Sequence, residues 1–246
     1  MTTPILLSLA RSRIISCTRC SRLRAYCRAI ARQKRRAYRG DTYWARPVPG
    51  FGDPKARLLI VGLAPTAHGA NRTGRMFTGD GPGGSGDFLM AALHRNGFAN
   101  IATSDRADDG LQLRDAFLTA AVRCAPPANK PRPEEIGACA DHLRAEFDAL
   151  PRVGVVVALG RIAFDASVRL LAARTEAPRP SFGHGREHAL PDGRTLIACY
   201  HPSRQNTHTG RLTPAMIDKV FSRARQLLGR PRRPAQRRAV SYRLKR

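Results

Sequence analysis

Three short runs, apolar at nearly every position, constrain this chain more than any other feature. They are Arg57-Leu58-Leu59-Ile60-Val61-Gly62-Leu63, the segment from Ala116 to Val122, and Val153-Gly154-Val155-Val156-Val157-Ala158-Leu159-Gly160. A strand with one wet face alternates apolar and polar residues, whereas a continuous apolar run belongs to a strand covered on both faces. Between the runs lie helical stretches. Ser21 to Tyr38 is basic, Asp87 to Phe98 follows a long glycine-rich loop, and Pro133 to about Leu150 opens with proline and the acids Glu134 and Glu135, which suit a helix N-terminus. A further helix follows Gly160, and the last runs from Thr213 to about Leu228. Pro191-Asp192-Gly193-Arg194 reads as a hairpin turn between His188-Ala189-Leu190 and the strand Thr195 to Cys199. The alternation predicts an α/β fold, three layers α/β/α around a central, mostly parallel sheet of four to five strands. It is expected to form one domain over residues 14–228, with an N-terminal extension at 1–13 and a basic, disordered tail at 229–246.

Charge narrows the partner. With 43 Lys plus Arg against 18 Asp plus Glu, the net charge is +25. Such a surface attracts polyanions, and nucleic acid is the first candidate. No apolar run approaches the roughly 18 residues that a membrane span needs. The stretch Pro4 to Ala10 is cut short by Arg11 and Arg13, so no signal peptide is expected. The expected location is the cytoplasm, at the nucleoid, where thiols stay reduced.

In that compartment closely spaced cysteines suggest metal or cluster ligation. Cys17 and Cys20 form a C-x2-C pair, Cys124 follows a predicted strand, and Cys139 lies on the next helix. Four thiolates from two distant segments can close one site, and the spacing suits zinc and an iron-sulfur cluster equally. Cys124 and Cys139 could instead be buried apolar thiols. Cys27 is an alternative ligand, and Cys199 reads as core.

Two loops after strands are the most specific part of the chain. The first runs from Gly62 through Ala64, Pro65, His68, Arg72, Arg75 and Phe77 to Asp80, and the second from His201 to Thr213. Both mix glycine or proline, small hydroxyls, arginine and histidine at the expected C-terminal ends of strands. Backbone N–H groups with Arg72, Arg75 and Arg211 are suited to phosphates, and Phe77 offers a flat face to a base. No phosphate-binding G-x-x-x-x-G-K-[ST] loop, zinc deaminase pattern, G-x-S-x-G or H-E-x-x-H is present, so no nucleotide cofactor is expected.

The two loops, the stretch Ala121-Val122-Arg123-Cys124-Ala125-Pro126-Pro127 between them and the cysteine frame together resemble the uracil-DNA glycosylase superfamily, most closely its family 5, the iron-sulfur type. The resemblance covers about Ile14 to Leu228. It implies a [4Fe-4S] cluster on Cys17, Cys20, Cys124 and Cys139, and a monomer that acts on DNA containing deaminated bases. It also implies catalytic roles for His201 and Asp80. Breaking the sugar–base bond puts negative charge on the departing base and positive charge on the sugar. A neutral His201 would donate to the base oxygen, and Asp80 would face the cationic sugar or position water. Gly62, Ala64 and Pro65 would read the base edge while Phe77 stacks on it. Arg204-Gln205-Asn206 falls where the superfamily inserts a side chain into the duplex, with Gln205 as the wedge. Ala64 replaces the acidic residue of the best-known uracil glycosylases, as in family 5 generally, and Ala120 stands where many family-5 members have asparagine. The resemblance implies hypoxanthine, xanthine and some etheno adducts as substrates beside uracil, and both alanines leave room for that breadth. The competing readings are a non-catalytic nucleic-acid-binding protein of the same fold and a zinc protein that hydrolyses a nucleotide.

Overall fold

The computed structural model describes residues 2–171 and 180–229. Its centre is a sheet of six strands, β1 (Phe51–Gly52), β2 (Leu58–Gly62), β3 (Ala116–Ala120), β4 (Val155–Leu159), β5 (Glu187–Ala189) and β6 (Thr195–Cys199), in the order β1-β3-β2-β4-β6-β5. The four inner strands are parallel, and β1 and β5 join the edges antiparallel. The sheet exceeds the expected four to five strands because β1 is only two residues long. So short a segment carries no apolar run to announce it.

Every residue of β2, β3 and β4 is buried, as continuous apolar runs require. Alternate residues feed opposite layers. Leu58, Ile60, Leu118, Val155, Val157 and Ile197 pack with α4 (Ser85–Arg95) and α8 (Pro214–Leu228), while Leu59, Val61, Phe117, Val156 and Leu196 pack with α5 (Pro133–Asp148) and α6 (Arg161–Leu171). This is the three-layer arrangement. Glu135 closes the start of α5 by accepting a hydrogen bond from the Arg132 backbone N–H at 2.7 Å.

Two amino-terminal helices flank this body, α1 (Thr3–Ile15) and α2 (Ser21–Gln33). Most of the segment expected as an amino-terminal extension lies in α1. α1 lies against α5, and Ala10 and Ile14 are buried. The helix expected from Ser21 to Tyr38 stops at Gln33, where Lys34 takes a positive φ of 49°. The tail from residue 230 lies outside the described residues. Among those described, no helix is long and apolar enough to cross a membrane.

Because β3, β2, β4 and β6 are parallel, Ala120, Gly62, Leu159 and Cys199 end on one edge of the sheet. The chain steps from β2 to β3 on one side, then crosses to β4 on the other. Ligands of open α/β sheets bind in the crevice where strand order reverses, outside the carboxyl ends. Both singled-out loops leave from that edge.

Candidate active site

His201 stands two residues beyond β6. Its backbone is held by Asn206, whose Nδ2 donates to the His201 carbonyl at 2.8 Å. Asn206 belongs to a short helix, α7 (Arg204–His208), inside the segment expected to be loop, and Ser203 caps it by accepting from the Asn206 N–H. Gly160, with φ of +90°, leaves room beneath the histidine: a Cβ there would come within 3.2 Å of His201 Cβ. The ring stacks on Phe77, with centroids 5.9 Å apart and planes at 29°. Burial pushes its pKa down to about 4. At neutral pH it is an uncharged imidazole, and among the described residues neither ring nitrogen has a hydrogen-bond partner.

Phe77 is held in a conformation that side-chain-bearing residues rarely adopt, φ of 51°. Two glycines make this possible. A Cβ on Gly62 would sit 2.6 Å from Phe77 Cε2, and one on Gly86 would overlap the Phe77 carbonyl oxygen. The ring therefore lies across the end of β2, 8% exposed, facing His201. Such strain concentrates at functional sites because the surrounding structure must enforce it.

Asp80 closes the first loop. The Thr66 hydroxyl donates to its Oδ1 and accepts from the Gly69 N–H at 3.2 Å. Any side chain on Gly69 would overlap both Thr66 Oγ1 and Asp80 Oδ1. Burial pushes the Asp80 carboxyl above the usual carboxylate range, against the pull of Thr66 and the Arg204 guanidinium. Arg204 Nη2 also donates to the carbonyls of Asp80 and Pro82, both at 3.3 Å, which joins the two loops. Thr66 and Gly69 were not singled out in the sequence. Thr66 is fourteen residues from Asp80, so no local spacing rule pairs them; the one available sign was a hydroxyl in a loop already marked as special.

The arginines divide into two groups. Arg75 is 8% exposed and gives its donors to Thr78 Oγ1, the Ala107 carbonyl, Ser104 Oγ and Asp109. Arg72, on the short helix α3 (Ala70–Thr73), donates to the His68 and Gly79 carbonyls and to Asp41 at 2.6 Å, with its guanidinium 4.0 Å from the centre of the Tyr38 ring. Both guanidinium groups, expected as phosphate contacts, spend their donors within the protein, where they tie a loop with few apolar residues together. Asn206 likewise spends its amide on His201 rather than facing outward. Arg204, Gln205 and Arg211 are exposed, and Arg211 lies 4.9 Å from the Tyr200 ring centre. Ala64 is partly exposed, and Gly62 and Pro65 are buried. The Gly62 carbonyl is taken by the Ala121 N–H at 3.0 Å.

The cysteines converge from three segments. Cys17 and Cys20 precede α2, Cys124 follows β3 and Cys139 lies on α5, and all four line one cavity with Arg19, Arg24, Arg123 and His142. Cys27 does not line it; its thiol reaches toward the Ala125 carbonyl at 3.7 Å. Burial pushes the Cys139 thiol up to about 12, and Cys20 is raised by burial and then by Cys124. The Cys27 sulfur beside Cys124, together with burial, drives that thiol higher still. These thiols therefore stay protonated at neutral pH unless a cation replaces the proton. Among the described residues, no three His, Cys, Asp or Glu groups close on a single metal ion. Cys199 is fully buried in the core, as expected. Ala64 packs against the same cluster of cysteines, which ties this region to the first loop.

Similarity to known proteins agrees with this geometry. The family model of the Uracil DNA glycosylase superfamily matches residues 49–225. The chain is 52% identical to a type-5 uracil-DNA glycosylase of Thermus thermophilus over 88% of its own length and 95% of the relative's. It is 50% identical to a type-5 enzyme of Mycobacterium tuberculosis, over 87% of this chain and 78% of that one. A type-4 uracil-DNA glycosylase of Archaeoglobus fulgidus is 34% identical, over 47% of this chain and 49% of the relative. With more than half its length matched by the family model, and with relatives about half identical over nearly nine-tenths of it, the chain belongs to the uracil DNA glycosylase superfamily.

Proposed function

We propose that the chain is a type-5 uracil-DNA glycosylase that takes a deaminated base out of the DNA stack and hydrolyses its N-glycosidic bond, leaving an abasic site. The observation that carries this reading is the half-buried, uncharged His201 ring, stacked beside Phe77 at the crevice with no partner for its nitrogens among the described residues. A neutral N–H donor at that place shares the negative charge gathering on the base oxygen, a contribution of about 3 to 4 kcal/mol for one preorganised donor. A cationic imidazole would be harder to keep in such a site, and burial removes that form.

Asp80 serves the opposite charge. Oriented by Thr66 and Arg204, its carboxylate faces the sugar as positive charge develops there, and it holds the attacking water. Phe77 stacks on the everted base, and the backbone from Gly62 to Pro65 reads its edge. Arg204 and Arg211 bind phosphate, Gln205 fills the gap in the stack, and Arg72, Arg75 and Asn206 act from inside by shaping the loops. Ala120 is fully buried at the end of β3, opposite Gly62. A small apolar residue there, with Ala64 nearby, supports acceptance of hypoxanthine, xanthine and etheno adducts as well as uracil.

Cys17, Cys20, Cys124 and Cys139 hold a [4Fe-4S] cluster in this reading. Two features of the cavity support it. The donor set is all thiol, and cationic Arg19, Arg24 and Arg123 surround it. The cluster supplies a cross-link between the amino-terminal segment, β3 and α5, since hydrolysis moves no electrons. The protein works as a monomer on chromosomal DNA in the cytoplasm, with residues 14–228 as its functional unit.

The test is to incubate purified protein with duplexes carrying one uracil or one hypoxanthine and to score alkali-labile sites. Strand breaks at the lesion are the expected outcome. Tight binding without breaks would establish the non-catalytic alternative.

A further inference from the structure

We propose that Arg123 and His142 are hydrogen-bond donors to the sulfurs of the cluster held by the four cysteines, and that they set how firmly it is retained and how readily it accepts an electron. The inference rests on the cluster reading above.

Four buried side-chain polar atoms lack a partner among the described residues, and three of them are Arg123 Nε, Arg123 Nη1 and His142 Nε2. Both residues line the cavity shared by Cys17, Cys20, Cys124 and Cys139. Native interiors rarely leave such donors empty, and three at one place point to an acceptor they are built to meet. A thiolate-ligated cluster is such an acceptor, with net negative charge and exposed sulfur lone pairs.

The local structure aims Arg123 without using it up. Its side chain is 1% exposed, and Nη2 donates to Glu146 Oε2 at 2.8 Å. Glu146 is itself fixed by the Thr119 hydroxyl at 2.5 Å and by the Gly50 N–H at 2.8 Å. One edge of the guanidinium is thus anchored, and the rest of its donors stay unspent. His142 lies one helical turn beyond Cys139 on α5, on the same face of the helix. Residues that orient or bond to ligands in this way tune metal sites, and their loss typically costs 10- to 100-fold in retention.

The experiment uses the full chain purified with its metal. Iron and sulfide are quantified in the wild type, in His142→Phe, which keeps a ring of similar size, and in Arg123→Lys, which keeps a cation for Glu146. Two readouts follow: the rate of iron loss to a chelator, from the visible absorbance, and the midpoint potential of the cluster. His142→Phe is expected to lose iron about tenfold faster or more, with a more negative potential, and Arg123→Lys should shift both in the same direction. Loaded variants that match the wild type in both readouts would overturn the proposal while leaving the cluster reading intact. A wild type free of iron and sulfide would overturn both.

Discussion

Replacing His201 by alanine tests, in one variant, what the ring donates and what its burial costs. The wild-type ring is neutral because burial holds its pKa near 4 rather than 6.5. If its N–H meets the departing base, removal forfeits about 3 to 4 kcal/mol of transition-state stabilisation, or roughly two to three orders of magnitude in rate. Single-turnover excision from a uracil duplex should fall by that factor, with little change in DNA affinity. His201→Gln, which keeps an N–H at similar reach, should recover part of the loss. Burial also has a stability consequence with a definite sign. Between pH 6.5 and 4 the unfolded chain takes up a proton at this position and the folded chain does not, so wild-type stability falls as the pH falls. The full effect is on the order of 3 kcal/mol at about 1.4 kcal/mol per pH unit. The alanine variant lacks this liability, so its urea midpoint should decline less steeply in acid than that of the wild type. Excision at the wild-type rate would refute the donor role, and parallel stability curves would refute the burial.

Asp80→Asn should slow excision by about a hundredfold or more, and it should also raise the melting temperature at pH 7. Burial lifts the folded carboxyl above its unfolded value, so stability is lost as pH rises through that interval and removing the charge restores it; a melting series from pH 4 to 8 should show the gain shrinking in acid. Gly69→Ala drives a methyl group into the Thr66–Asp80 contact, and it should cost activity far more than stability, read by comparing excision rate with melting temperature. Glu146→Ala breaks the buried ion pair with Arg123 and should destabilise the protein by about 3 to 5 kcal/mol in denaturant titration. An unchanged midpoint would show that the pair is not buried as described.

Much of the architecture could be read in one dimension. The runs around Ile60, Leu118 and Val157 could only be strands covered on both faces, and that pattern implied the parallel sheet and its two helical layers. The cysteine frame and the two loops were visible as well. What escaped notice depended on contacts remote in sequence. β1 is two residues long and exists only because β3 offers it an edge. The first residues became a packed helix because α5 presents a surface for Ala10 and Ile14. That Arg72 and Arg75 bond to Asp41 and Asp109 could not be read from the loop that carries them, because those partners lie 31 and 34 residues away.

The order of residues along the chain determined which chemical groups this protein possesses: a basic surface, four cysteines in two pairs, and a histidine and an aspartate on glycine-rich loops. Only the folded molecule decided what state those groups are in. Desolvation makes the His201 imidazole neutral and raises Asp80, hydrogen bonds to Thr78, Ser104 and Asp109 hold Arg75 inside, and both depend on which distant segments pack around each atom. Composition records that a group is present, whereas its charge and its free hydrogen-bonding edge are properties of its surroundings.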